Sequence, residues 1–109
     1  AVMAASYPEL HSLLTQGMGI PFAFHHWDAP PPMPYGVYFD DHTENFGADG
    51  VVYHVVRPVN IELYVRQRDP ALEGRMERLL DGAGLFWDKY AEYLGDTERA
   101  YQISYEIEV

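Results

Sequence analysis

Two neighbouring histidines and an aspartate, His25, His26 and Asp28, are the residues of this chain whose types best suit a transition-metal site. Imidazole nitrogens and carboxylate oxygens are ordinary zinc ligands, but a site needs three or four of them converging on one ion. The surrounding residues, 21–27, alternate as a short strand does, and adjacent side chains on a strand point to opposite faces. We therefore interpret them as polar residues where a strand leaves its sheet, with a metal site as the alternative.

The oxygen-rich stretch over residues 41–50 is a second candidate site. Calcium prefers such ligands, yet the spacing of an EF-hand loop is missing. Asp49 followed by Gly50 is a strong turn signal, so the sequence predicts an irregular loop at the tip of a hairpin. The functional hypothesis is that Phe46 anchors this loop while its carboxylates face a DNA channel or a basic partner, and the alternative is a solvated tip. The residues concerned are Asp41, His42, Glu44, Phe46 and Asp49.

The sequence carries no catalytic signature. It has no cysteine, and none of its serines lies in a G-x-S-x-G turn. It also lacks the glycine-rich motifs that bind phosphate. We therefore expect neither enzymatic activity nor a cofactor. A small metal-binding or enzymatic accessory protein that uses His25, His26 and Asp28, together with His42, remains an alternative.

The charge balance is strongly acidic, with 17 Asp and Glu against 7 Lys and Arg and a formal net charge of −10. Direct binding to nucleic acid or to an anionic membrane requires clustered cations, so neither is expected. An acidic DNA mimic that inhibits a DNA-binding protein is the alternative that this charge supports. No apolar run reaches the roughly 18 residues of a membrane span, and the length predicts a single domain over residues 1–109.

Two amphipathic helices are predicted. Ser6 and Glu9 fit a capping box before the first, while Asp69 caps the second and Pro70 occupies its first position. The charged residues of the second helix are expected on its solvent side: Glu73, Arg75, Glu77 and Arg78. The helical half of the core is expected to be Leu10, Leu13, Leu14, Leu72, Met76, Leu79 and Leu80, which recur at helical spacing.

Alternating apolar and polar residues predict the strands, most clearly over residues 101–109. Residues 51–66 are predicted to form one long strand that makes a hairpin with residues 35–41, and Pro58 indicates an edge position or a bulge in it. A further strand over 85–93 completes the order α, β, β, β, α, β, β. This order predicts an α+β fold, with a mainly antiparallel twisted sheet and two helices packed on one face. The sheet half of the core is expected to be Ile61, Leu63, Val65, Ile103 and Ile107.

Several stretches taken together resemble one protein family. They are PPPMPYGVY at 30–38, ENFGADGVVY at 44–53, NIELYVR at 60–66 leading into DPALE at 69–73, and YQISYEIEV at 101–109. In this order and spacing they are similar to the small tail-completion or tail-terminator proteins of long-tailed phages and prophages of Gram-positive bacteria. The resemblance extends over residues 6–109 and depends on the overall pattern, because no single motif is diagnostic.

The resemblance implies a structural virion protein with no catalytic residues. Such proteins are subunits that assemble, often as a hexameric ring, on the head-proximal end of the tail tube, where they stop polymerisation and join the tail to the head connector. The implied partners are further copies of the chain, the major tail tube protein and head connector proteins. The implied location is the virion tail, after synthesis in the cytoplasm of the host bacterium. An acidic lumen would suit such a channel because it repels DNA phosphates.

Overall fold

The computed structural model describes residues 7–40, 44–48, 51–56, 58–96 and 98–108. Within these residues the chain forms two helices and seven strands. The elements are α1 (Tyr7–Met18), β1 (Phe22–Phe24), β2 (Tyr35–Asp40), β3 (Glu44–Ala48), β4 (Val51–Val56), β5 (Pro58–Val65), α2 (Pro70–Gly82), β6 (Trp87–Leu94) and β7 (Ala100–Glu108). Ser6, the predicted cap of the first helix, lies outside the described residues. Neither of the described helices is long and apolar enough to cross a bilayer.

Five strands form the main sheet in the order β1-β2-β5-β7-β6. The pair β1–β2 is parallel and the other three pairs are antiparallel. Both helices pack on one face of this sheet, so the predicted α+β class is confirmed. The structure has more strands than predicted, because β3 and β4 form a separate two-stranded sheet.

Pro58 divides the stretch that was predicted as one long strand. β2 pairs with β5 as far as Asp40 opposite Val59, and Pro58 precedes that last pair as the first residue of β5. A proline is accepted there because its missing N–H group falls at the start of the strand, where the ladder of hydrogen bonds is not interrupted. The prediction of an edge position was wrong, since β5 lies between β2 and β7 in the middle of the sheet. The chain N-terminal to Pro58 instead pairs with β3.

The core lies between the helices and alternate residues of the sheet. In β5 and β7 the odd-numbered residues face the helices, since Ile61 lies opposite Tyr105 and Leu63 opposite Ile103. The fully buried side chains of this layer are Leu10, Leu14, Met18, Val59, Ile61, Leu63, Met76, Leu80, Ile103, Tyr105 and Ile107. Most of the predicted core residues are therefore confirmed. Leu13, Leu72 and Leu79 were also expected in the core, but they are only partly buried and pack against its margin.

Glycine allows close approach at two points of this packing. A Cβ on Gly17 of α1 would lie 2.6 Å from Cδ1 of Leu79, so the glycine lets α2 approach α1. A Cβ on Gly36 of β2 would overlap the ring of Phe22, which lies beside it on β1 and is buried. Arg75 joins the helices further by donating to the carbonyl oxygen of Met18, 3.2 Å away, at the end of α1.

The first prediction compares two leucines of α2. Leu80 is fully buried and Leu79 only partly so. Truncation of a buried leucine removes its transfer free energy and leaves a cavity, so we expect Leu80→Ala to lower the free energy of unfolding by about 2–5 kcal/mol. Leu79→Ala should cost clearly less. Urea unfolding of both variants measures the difference, and a larger loss for Leu79→Ala would contradict this arrangement of α2.

The second prediction concerns Gly36. Because an added methyl group would overlap the buried ring of Phe22, we expect Gly36→Ala to destabilise the protein by about 1–3 kcal/mol. Gly82, at the end of α2, is the matched control, because an added Cβ there meets nothing within 4 Å. Gly82→Ala should leave the melting temperature unchanged or raise it. Equal melting temperatures for the two variants would show that Phe22 does not lie over Gly36.

Candidate functional site

The second helix starts where the sequence predicts, and this start positions its charged residues. The Asp69 carboxylate accepts hydrogen bonds from the backbone N–H groups of Ala71 and Leu72, at 3.1 and 3.2 Å, and Pro70 follows as the first helical residue. These bonds satisfy N–H groups that a helix end leaves free. The first turn of α2 consequently places Glu73 against the sheet.

Glu73 lies at the centre of a cluster of charged side chains between α2 and the sheet. Arg68 donates from Nε to one carboxylate oxygen at 2.7 Å and from Nη2 to the other at 2.8 Å. Lys89 of β6 lies 2.7 Å from Glu73 and 2.7 Å from Glu77. The buried Tyr105 donates its hydroxyl hydrogen to Glu77 at 2.8 Å. We call these five residues the α2–β6 cluster; it contains two cations and two carboxylates, so its charges balance.

The position of Glu73 corrects the prediction that the charged residues of α2 face solvent. Its side chain is only 7% exposed, whereas that of Arg68 is 43% exposed. A buried carboxylate is tolerated only when it is paired and hydrogen-bonded, and here Arg68 and Lys89 provide both. The helical periodicity could not reveal this, because the partners come from the segment before α2 and from a strand after it.

The cluster changes the acidity of its members. The hydrogen bonds from Arg68 are the largest cause that lowers the pKa of Glu73, from 4.5 to about 2; burial alone would raise it. The hydrogen bond from Lys89 likewise lowers the pKa of Glu77. Burial would lower the pKa of Lys89, but its bonds to the two carboxylates outweigh this and raise it. Burial, followed by the hydrogen bond to Glu77, raises the pKa of Tyr105.

The cluster borders an open cleft of about 490 Å³, lined by Arg68, Pro70, Glu73, Gly74, Glu77 and Lys89. Shifted pKa values in a cleft are typical of catalytic sites, but structural ion-pair networks produce them too. Here the shifts of Glu73, Glu77 and Lys89 stabilise their charged forms, and each charged group is bound to an opposite charge. Such an arrangement lacks a free base or nucleophile. Its evident effect is to hold the first half of β6 against α2 at Lys89.

The strand held in this way, β6, forms an open edge of the sheet. It pairs with β7 over its whole length, from Trp87 opposite Ile107 to Leu94 opposite Ala100, without a shift in register. Its other side has no neighbouring strand among the described residues. Three aromatic side chains on or next to it are exposed: Phe86 by 94%, Tyr90 by 59% and Tyr93 by 56%. We call β6 with Phe86 the β6 edge surface.

The β6 edge lacks two of the features that commonly protect an edge strand. Soluble proteins block such edges with prolines, bulges and charged side chains. The exposed charges of β6 are Asp88 and Glu92. β6 contains no proline and no bulge. Its only lysine, Lys89, points toward the helices and is bound by Glu73 and Glu77. The backbone donors and acceptors of this edge are therefore accessible to another strand.

The predicted loop site has a different structure from the one expected. Asp41, His42 and Asp49 lie outside the described residues. Glu44 and Phe46 belong to β3, which pairs with β4 in a short antiparallel sheet with a register shift after Phe46. The prediction of an irregular loop was therefore wrong for residues 44–48. The sequence did not indicate a strand here because turn-forming residues are frequent in and around the segment.

The histidine and aspartate candidates form two separate pairs. His26 lies 3.1 Å from Asp28, and both side chains are largely exposed. His25 has a positive φ of 70° and lies 3.4 Å from Asp40 of β2. No three histidine, aspartate or glutamate side chains converge in the part of the chain that the structure describes. His42, the fourth residue of this hypothesis, is outside that part.

Comparison of the chain with protein-family models and with curated proteins gave no match. The geometry of the described residues and the pattern of the sequence are therefore the observations on which a function can be proposed.

The third prediction tests the α2–β6 cluster. Glu73→Gln keeps the shape of the side chain and removes its charge, so we expect the free energy of unfolding at pH 7 to fall by about 1–3 kcal/mol. Folding lowers the pKa of Glu73 from 4.5 to about 2, so its charge stabilises the fold above pH 4.5 and this contribution is lost as the pH falls toward 2. The wild type should lose stability across that range more steeply than the variant does, as measured by urea unfolding.

The control for this prediction is Glu108→Gln, since Glu108 is an exposed carboxylate on β7 that lies opposite the uncharged Pro58. It should keep the pH dependence of the wild type. If Glu73→Gln showed the same pH dependence as the wild type, the cluster would not be held together by the charge of Glu73.

Proposed function

We propose that this protein is a structural assembly subunit, and that its β6 edge surface is one of the contacts it uses. The observation that carries the proposal is the combination of an open edge strand, free of proline and bulges, with Phe86, Tyr90 and Tyr93 exposed beside it. Backbone groups on such an edge gain hydrogen bonds when another strand is added. Aromatic side chains are enriched at the centres of protein interfaces, where their large apolar area is buried.

The chemistry of the described residues favours assembly over catalysis. The α2–β6 cluster, in which the pKa values of Glu73 and Glu77 are lowered, has its charges paired and acts on the position of β6. The histidines form separate pairs on the surface. An enzyme or metal-binding accessory protein based on His25, His26 and Asp28 therefore has less support than an assembly subunit.

The class of assembly follows from the sequence pattern. Its resemblance to tail-completion and tail-terminator proteins leads us to propose a subunit of a homo-oligomeric ring, of six copies in that family, that caps the tail tube. Its partners would be the major tail tube protein and head connector proteins, and its location the virion tail. A net charge of −10 per subunit supports this proposal, because a ring of such subunits would repel DNA that passes through it.

The fourth prediction tests the function in virions. Phe86 is 94% exposed, so Phe86→Ser removes almost no contact within the subunit and should leave its melting temperature unchanged. If the β6 edge surface is an assembly contact, phage that encode this variant should incorporate less of the protein and produce fewer particles with complete tails. Quantitative mass spectrometry of purified virions and electron microscopy measure both effects.

The matched control is Gln67→Ser, since Gln67 is an exposed residue after β5, away from this edge. It should be incorporated as the wild type is. Absence of the wild-type protein from purified virions would overturn the proposed function. Normal incorporation of Phe86→Ser would instead show that the contact lies elsewhere.

A further inference from the structure

We infer that, before it meets the tail, the protein closes its β6 edge with the β6 edge of a second copy, as an antiparallel pair centred on Ala91. This inference rests on the part of the proposed function that makes β6 an assembly surface. It specifies what binds to β6, namely a second copy of the chain, and the register in which the two strands pair. A contact of two identical surfaces about a two-fold axis is the commonest way in which protein subunits associate.

The geometry of a two-fold contact limits the possible registers. Antiparallel pairing about an axis perpendicular to the sheet continues the two sheets into one and keeps the helices of both copies on the same side. Residues that lie directly opposite each other then share a face. One residue of β6 must lie on the axis opposite its own copy, so the register is defined by naming that residue.

The charges of β6 select one of these registers. An axis at Lys89 would place two lysines opposite each other, and an axis at Glu92 two glutamates. An axis at Tyr90 would place Asp88 opposite Glu92. Like charges directly opposite each other destabilise a strand pair. Among registers that pair five or more residues of β6, only the one centred on Ala91 avoids them.

The pairs that this register creates are also complementary. Tyr90 lies opposite Glu92 on the face away from the helices, where its hydroxyl group can donate to the carboxylate. Tyr93 lies opposite Lys89 on the helix face, where the ring can cover the methylene groups of the lysine side chain. Both tyrosines are more than half exposed in the single chain, and the pair would cover them. Asp88 lies opposite the uncharged Leu94.

The α2–β6 cluster keeps the charge of Lys89 away from this contact. Lys89 is 28% exposed and is held by Glu73 and Glu77, so its ammonium group does not project past the edge where it would repel a second copy. The pair uses the β6 edges of both copies. These edges must therefore separate before they contact other subunits of the virion.

Single cysteines test the register directly, because the natural chain has none. In antiparallel pairs, opposite Cα atoms lie about 4.5–5.5 Å apart, which is within the range that a disulfide spans. Under mild oxidation of the free, folded protein we expect Ala91→Cys to form a covalent dimer. Tyr90→Cys and Glu92→Cys should each stay mostly unlinked alone, but should form a mixed disulfide dimer when the two variants are combined.

Two measurements accompany the cross-linking. The unmodified protein should sediment with twice its chain mass of 12.5 kDa. Ala71→Cys, on the exposed side of α2, is the control for random collision and should stay monomeric under the same oxidation. Circular dichroism confirms that each variant is folded.

The inference is overturned if folded Ala91→Cys stays monomeric, if Tyr90→Cys alone cross-links better than Ala91→Cys, or if the Ala71→Cys control cross-links equally well. These results concern the free protein and leave incorporation into virions untouched. Absence of the protein from virions, together with efficient cross-linking through Ala91, would refute the proposed function and retain the pair.

Discussion

The charge of Glu73 is the constraint on which the arrangement of this protein depends. A carboxylate with a side chain 7% exposed must be paired, and its partners come from different parts of the chain: Arg68 before α2 and Lys89 in β6. Once these pairs form, α2 is fixed relative to β6, the edge strand of the sheet. Tyr105 extends the network by its bond to Glu77 and fills the core beneath it. One ionised group thus connects the helix layer, the core and the edge strand.

Local patterns predicted the parts of the fold that local physics determines. The cap at Asp69, the buried faces of both helices and the alternation of β7 follow from hydrogen bonding and side-chain period within a single segment. The course of the chain around Pro58 was predicted less well. A proline excludes some positions in a sheet but does not say which neighbour a strand takes, so the middle position of β5 required the tertiary structure.

Most of the candidate site could not be predicted from the sequence, for a similar reason. Histidines and acidic loops are candidate sites because their side chains can bind ions. Whether those side chains converge depends on the fold. Here His25 and His26 contact different aspartates. Glu73 had the spacing of an ordinary solvent-facing residue. The exposure of Phe86 was equally unpredictable, because an apolar residue near a strand is usually buried. The hydrophobic pattern predicted the strand but not that it would be the last in the sheet.

The two ends of the sheet are unequal, and this has a consequence for how it can grow. One end is β1, with three residues in parallel pairing, while the other is β6, with eight. Any partner strand that binds along β6 uses the one long edge, and the short end offers little for another. In the language of polymer chemistry, the five-stranded sheet has a valence of one for strand addition. A sheet of that valence can join one partner sheet but cannot extend into a longer series.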